Sequence, residues 1–260
     1  MVALDDPFAL LSALILSLPR IMTAIWLLPI LSQQIFPATI RNAFVFSLTL
    51  VILPAIYTEI PAGGFGLFDS LVLAAKEIFI GLLIGFLFAL PFWLTTAVGF
   101  IIDRQRGAFS ASLFFPVVGA QVSPLGLLFT QAVATLFFVS GGFLVMLKSL
   151  YYSYLMWPLA SAFPQVNQAG LDFIISQFQW FAYTMLILAA PVAVLMFLID
   201  FSMGILNRFV PQLNVFFLSM PIKSLCAALI LIVYLPTLFG FFDEHFYTLF
   251  NLVQNMLRIL

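Results

Sequence analysis

Apolar residues run through this chain in long stretches, and its few charged residues mark where the stretches end. Uncharged runs cover 21–40, 42–58, 78–102, 107–147, 149–171, 173–199 and 224–242. A helix needs about 20 apolar residues to cross the hydrocarbon of a bilayer, so each run is close to a span or longer than one. Splitting the runs at clusters of Gly, Pro, Asn and Gln predicts seven helical segments, near 7–31, 40–58, 70–102, 124–160, 171–208, 213–236 and 241–258. The period-2 alternation of a membrane barrel is absent. Phe79 to Leu90 is apolar on every face, and in lipid such a run satisfies its backbone only as a helix. The pattern predicts an all-α polytopic integral membrane protein with a single membrane-embedded domain, 1–260.

Prolines qualify the picture of straight rods. Pro19, Pro91, Pro191, Pro221 and Pro236 fall inside apolar runs and are expected to kink or break them, giving helical hairpins. Gly81, Gly85 and Ala89 form a stripe of small residues at helical spacing, a face that lets a neighbouring backbone approach closely in helix packing or at a subunit interface.

Composition agrees with the pattern and excludes alternatives. Only 7% of the 260 residues are Asp, Glu, Lys or Arg, and 64% are hydrophobic; a soluble domain carries roughly a quarter charged. So few charges cannot cover a folded surface in water, so most of it must face lipid or other subunits. The 32 phenylalanines offer more apolar surface than seven helices need internally, which points to protein partners as well as lipid. With a net charge of −1 and no basic run, nucleic acid is excluded as a partner. Cys226 is the single cysteine and reads as a small buried hydrophobe. His245, the single histidine, reads as interfacial beside Asp243 and Glu244. Phosphate loops, zinc-binding His pairs and nucleophile elbows are all missing, so no catalytic residue, metal site or cofactor is expected. Asp5 and Asp6 stand where a secretory signal would carry basic residues, which implies that the apolar segments are retained.

Charge sorting gives a topology. Arg41, Arg104 with Arg106, and Arg208 lie in the turns after the first, third and fifth segments; Asp5, Asp6, Glu59, Asp69, Asp172, Asp243 and Glu244 lie at the N-terminus and in the alternate turns. The positive-inside rule then places the N-terminus outside and the C-terminus, with Arg258, inside.

Ionisable residues within spans are functional suspects by default, here Lys76, Glu77, Lys148, Asp200 and Lys223. Lys76 and Glu77, near the start of a segment, read as a snorkelling interfacial pair. Lys148, followed by Tyr151, Tyr152, Tyr154 and Trp157, reads as an interface anchor. Asp200 stands 11 residues before Pro211 and Lys223 stands 11 after Gln212. A turn at Pro211 and Gln212 brings them level, each about 17 Å from it at 1.5 Å per residue. They are expected to form a buried charge pair that sets the register of the hairpin.

Two stretches depart from plain helix. Ile102 to Pro124 is polar through Asp103, Arg104, Gln105 and Arg106, then passes Gly107 and turns small and apolar through Phe114, Phe115 and Pro116 without the length to span. A re-entrant or pore-facing loop accounts for that mixture, since non-helical backbone at membrane depth needs protein or a water-filled cavity around it. Gly204 to Lys223 groups Asn207, Arg208, Gln212 and Asn214 around Pro211, with Phe216 following, and reads as a hairpin turn.

At these stretches the chain resembles the FliR/SctT family, the T subunit of the bacterial type III secretion export apparatus. The resemblance covers nearly the whole chain: Pro19-Arg20, the Pro37 to Arg41 turn, Glu77-x3-Gly81-x3-Gly85, the stretch from Ile102 to Ala108, and Gly141-Gly142-Phe143. Its most specific part is Asn207-Arg208-x-x-Pro211-Gln212-x-Asn214-x-Phe216. Asp103-x-Gln105-Arg106-Gly107-Ala108 resembles the injectisome branch more than the flagellar one, with Arg104 in place of the Asn expected there. The resemblance implies one T subunit joined to R and S subunits in a closed helical ring that passes unfolded proteins. It further implies contact with the autoprotease switch subunit U and with needle or rod proteins, a place in the bacterial inner membrane, and an assembled complex displaced toward the periplasm. In such a complex the helices form raised, tilted hairpins.

A function of another class is a self-contained secondary transporter of a small solute, with Asp200 or Glu77 as its proton-coupled carboxylate. The missing internal repeat and the scarcity of polar groups at midplane weigh against it.

Overall fold

The computed structural model describes residues 7–31, 37–61, 65–108, 123–161, 164, 167–210, 212 and 215–259, with Phe216 described by its backbone alone. Among the described residues every regular element is helical. The helices are α1 (Pro7–Trp26, followed by a 3-10 turn at Pro29–Leu31), α2 (Ala38–Tyr57), α3 (Leu67–Gln105), α4 (Pro124–Val139), α5 (Gly142–Met156), α6 (Gln168–Phe209) and α7 (Val215–Ile259). The expectations for Phe114, Phe115, Pro116, Pro211 and Asn214 lie outside the described residues.

Two boundaries differ from the sequence reading. The segment expected over 124–160 is broken at Ser140 and Gly141, between α4 and α5. Gly141 takes φ +82°, a conformation that costs an L side chain and that glycine adopts freely. Conversely, the segments expected at 213–236 and 241–258 are one helix of 45 residues that runs through Pro221, Pro236 and Gly240. An interior proline removes one hydrogen bond, whereas a helix that stops in apolar surroundings orphans up to four N–H and four C=O groups. Continuing the helix is the cheaper solution. Asp243 and Glu244 therefore lie inside α7 and not in a turn, which removes the last step of the argument that put the C-terminus inside.

Five helices, α1, α2, α3, α6 and α7, are long and apolar enough to cross a membrane, or six if the broken α4–α5 pair is one span. At 39, 42 and 45 residues, α3, α6 and α7 are about 58, 63 and 67 Å long at 1.5 Å per residue. Each exceeds the roughly 30 Å hydrocarbon thickness by a wide margin.

The chain divides into two compact units. The first comprises Met1–Leu90, Phe138–Gln177 and His245–Leu260. Its helix α1 buries Ala9, Ala13, Leu16, Ser17, Arg20, Ile21, Ala24 and Ile25, positions three to four apart that make one continuous stripe. The opening half of α3 supplies Ile80, Ile84, Leu87 and Phe88 to the same core. The second unit comprises Pro91–Phe137 and Phe178–Glu244. In it Gly99 of α3 meets Gly126 of α4 so closely that a Cβ on Gly99 would lie 2.3 Å from the Gly126 nitrogen. Thr96 and Thr130 share a hydrogen bond of 2.7 Å across the same contact, and the Phe92 and Phe137 rings pack edge to face at 5.4 Å. Within this unit α6 and α7 leave many large apolar side chains exposed, among them Val194, Phe197, Phe201, Leu229 and Val233.

Candidate functional site

Three charged residues of the first unit, Arg20, Lys76 and Glu77, form a buried lock. Arg20 lies in α1 directly after Pro19, and Lys76 and Glu77 lie in α3. Arg20 donates from Nε to Glu77 Oε2 and from Nη2 to Glu77 Oε1, both at 2.7 Å, in a bidentate pair whose two side chains have no exposed surface. Its remaining donors reach Ser153 Oγ at 3.1 Å and the Trp157 carbonyl at 2.9 Å, and the guanidinium lies 4.0 Å from the centroid of the Tyr154 ring. Tyr154 in turn donates its hydroxyl to the Ser17 carbonyl at 2.8 Å. Lys76 Nζ donates to the carbonyls of Pro158 and Leu159 at 2.9 and 2.6 Å and lies 3.3 Å from Glu77 Oε1. Glu59 Oε2 accepts from the Leu159 N–H at 2.7 Å, so the turn after α5 is held from two sides. Lys76 and Glu77 are thus not the snorkelling pair expected from their place near a segment start. Both are buried, because a charge without water needs a full set of partners and α1 with the 157–161 turn supplies them.

Gly81 and Gly85 make this lock possible. They follow Glu77 by one and two helical turns on the same face, and a Cβ on Gly81 would stand 2.1 Å from Thr23 Oγ1 and 2.3 Å from the Arg20 carbonyl oxygen. A Cβ on Gly85 would stand 2.8 Å from Ala24 Cα. Together with Ala89, which is fully buried, the stripe seats α3 on its own chain. The close approach that the stripe was expected to allow is made here within the chain, between α3 and α1.

The second unit turns the Ile102 to Ala108 stretch into a helix terminus. Asp103, Arg104 and Gln105 close α3, Gly107 takes φ +83°, and the N–H groups of Gly107 and Ala108 return to the carbonyls of Arg104 and Asp103 at 3.3 and 3.0 Å. That double return is the Schellman motif, with glycine at its left-handed position. The Asp103 side chain points away from solvent, accepting from Ser123 Oγ at 2.6 Å and from the Leu125 N–H at 2.9 Å, and pairing with Arg106 at 2.7 Å. Ser123 Oγ accepts in turn from the Gly126 N–H at 2.9 Å, so α4 begins with a serine cap, a proline in its first position and a carboxylate at its positive end. Asp103 is therefore corrected from a pore-lining residue to a buried cap joining the end of α3 to the start of α4. Arg104 and Gln105 remain exposed.

Asp200 and Lys223 are in contact: Lys223 Nζ pairs with Asp200 Oδ1 and also donates to the Gln105 carbonyl at 3.2 Å. That carbonyl is one of the orphans of the α3 C-terminus, where a lysine is favoured by the helix dipole. Only one partner of the pair is buried, since the Lys223 side chain is 10% exposed and that of Asp200 is 52% exposed. Asp200 sits on the outer side of α6, whose flank in this unit is uncovered. Asp200→Asn is expected to reduce recovery of folded protein more than the Asp200→Asn, Lys223→Met double variant, because the single change leaves an uncompensated ammonium. Thermal stability in mild detergent reads the difference; equal stability of wild type and both variants would remove the pair from the account. The hairpin residues Asn207 and Arg208 end α6, and with Gln212 they are exposed. Lys148 is exposed too, its ammonium 4.4 Å from the Phe250 ring centroid, and Cys226 is half-buried. Among the described residues no cluster of His, Cys, Asp or Glu could hold a metal ion.

Fold and site together define a helical membrane protein whose buried charges hold its own helices in register. A family model described as bacterial export proteins, family 1, matches residues 11–249. Yop proteins translocation protein T of Yersinia pestis is 45% identical over 224 residues, 84% of each chain. Secretion system apparatus protein SsaT of Salmonella typhimurium is 36% identical over 228 residues, 87% of this chain and 88% of its own. Flagellar biosynthetic protein FliR of Bacillus subtilis is 29% identical over 256 residues, 96% of each chain. The chain belongs to this family of bacterial export proteins, the FliR/SctT family.

Proposed function

We propose that this chain is a structural and gating subunit of the type III protein secretion export channel, in its injectisome branch. It joins R and S subunits in the inner membrane, with the assembled complex raised toward the periplasm, and borders the closed pore through which unfolded proteins pass. The observation that carries this reading is its higher identity to a translocation protein and a secretion apparatus protein than to a flagellar relative, over more than four-fifths of each chain. The exposed Phe, Leu and Val side chains of α6 and α7 support it, since a ring of subunits needs such faces. A solute carrier would need a carboxylate free to change partners, whereas Glu77 is held by Arg20 and Lys76, and Asp200 by Lys223.

Gating rests on the stretch between Asp103 and Pro124. The Asp103, Arg106 and Ser123 contacts anchor both ends of the 109–122 segment, and the composition of that segment, with Phe114, Phe115 and Pro116, suits an apolar plug. Deleting Ala111 to Phe115 is expected to make the assembled complex, reconstituted in a planar bilayer, conduct ions at rest. Unchanged resting conductance in the assembled deletion variant would count against the gate.

A further inference from the structure

Among the described residues, Arg41 is the one buried charge of the first unit that the lock does not explain. It lies in the first turn of α2 and is 6% exposed, yet its Nε finds no hydrogen-bond partner. Among the described residues its guanidinium makes no ion pair, and its one polar contact is with the face of Trp26, 4.9 Å from the ring centroid. A cation at a helix N-terminus faces the positive end of the dipole, and α2 has no side-chain cap at Pro37. Everything around this charge asks for an anion, and nothing in the described chain provides one.

Beside it is a cavity of about 250 Å³ lined by Leu31, Ile40, Arg41, Phe44, Phe138 and Phe143. The lining is hydrocarbon and aromatic ring throughout, Arg41 entering it with the apolar part of its side chain, and Phe143 is packed at 6.0 Å from Phe44 and 5.4 Å from Phe138. Ile40, more than half exposed, stands at its rim, and Trp26 is 47% exposed beside the arginine. A free phosphate would satisfy the guanidinium and leave the apolar cavity empty; a hydrocarbon would do the reverse.

We infer that Arg41 and this cavity form a binding site for one anionic phospholipid, the phosphate held by the guanidinium and the N-terminal N–H groups of α2, and part of an acyl chain held among the phenylalanines. One molecule then supplies both missing complements. The helix N-terminus contributes N–H donors that point at an anion. Trp26 provides the amphipathic ring that sits at headgroup level. The bilayer in which the chain resides supplies the ligand at high local concentration.

The test uses full-length protein in detergent, offered phosphatidylglycerol or phosphatidylcholine of the same acyl composition, with bound lipid counted by native mass spectrometry. Wild type is expected to retain one phosphatidylglycerol per chain, with at least tenfold preference over phosphatidylcholine. Arg41→Gln should lose that preference, and Leu31→Phe, which narrows the cavity, should lower retention of both lipids. Equal retention of the two lipids by wild type would overturn the proposal with no variant needed. So would displacement of the lipid by millimolar inorganic phosphate, which would place the affinity in the ion alone. Cross-linking of a partner protein from position 40 in the native complex, with no lipid retained, would assign the site to that partner and would likewise overturn it.

Discussion

Glu77→Ala is expected to leave little folded protein in the membrane. The change strands the Arg20 guanidinium, which has no exposed surface and donates two of its four hydrogen bonds to that carboxylate, and it leaves Lys76 with carbonyl and hydroxyl partners only. Removing one member of a buried ion pair costs about 3–5 kcal/mol, a large share of the roughly 5–15 kcal/mol that holds a domain folded. The Arg20→Met, Glu77→Leu double variant should be more stable than either single change, because two apolar side chains need no partners. Melting temperature in mild detergent measures all three; a Glu77→Ala protein that melts with wild type would mean that the lock contributes nothing.

The second large effect is at Gly81. A methyl group there would press into the Arg20 carbonyl oxygen at 2.3 Å as well as Thr23 Oγ1 at 2.1 Å, and a backbone oxygen in the middle of α1 cannot turn aside. Gly81→Ala therefore has to lift α3 from α1, spoiling the Arg20–Glu77 geometry along with the packing. The loss should exceed the about 1–3 kcal/mol usual for an overpacked core. Gly85→Ala, with its nearest contact at 2.8 Å, should be milder. Gly204→Ala is the control: nothing lies within 4 Å of its added methyl, and alanine in an exposed helix position gains up to about 1 kcal/mol over glycine. Equal tolerance of all three substitutions would contradict the close approach of α1 and α3.

What could be read from the sequence follows the range of the interactions involved. Apolar runs between charges found α1, α2, α3 and α6 to within a few residues, because helix in lipid is dictated by backbone hydrogen bonding and is visible locally. The same local view failed at Pro236 and Gly240, where two expected segments are one helix; punctuation that ends helices in water does not end them in apolar surroundings. It failed in the other direction at Ser140 and Gly141, since the run was long enough to hide a break. Counting residues from Pro211 and Gln212 brings Asp200 and Lys223 level, and the structure has them in contact, because helical rise converts directly into height. Arg20 and Glu77 are 57 positions apart in separate helices, and no periodicity joins them. The signal that could have done so was the sequence Glu77-x3-Gly81-x3-Gly85, in which two missing side chains mark the face that must touch the helix carrying the counter-charge. Asp103 shows its polarity in the sequence, but its role depends on Ser123, 20 positions on. The glycine at Gly107, two residues past the last residue of α3, is the sign in the sequence that the polar stretch closes a helix.

An export-channel subunit is known by the proteins it travels with. Isolated gently from its native membrane by a small affinity tag, it should travel in one stable hetero-oligomer with two other small hydrophobic membrane proteins, the R and S subunits, and little should be recovered alone. Recovery of the chain by itself, folded and able to move a small solute across liposomes, would contradict the export-channel reading and favour the carrier.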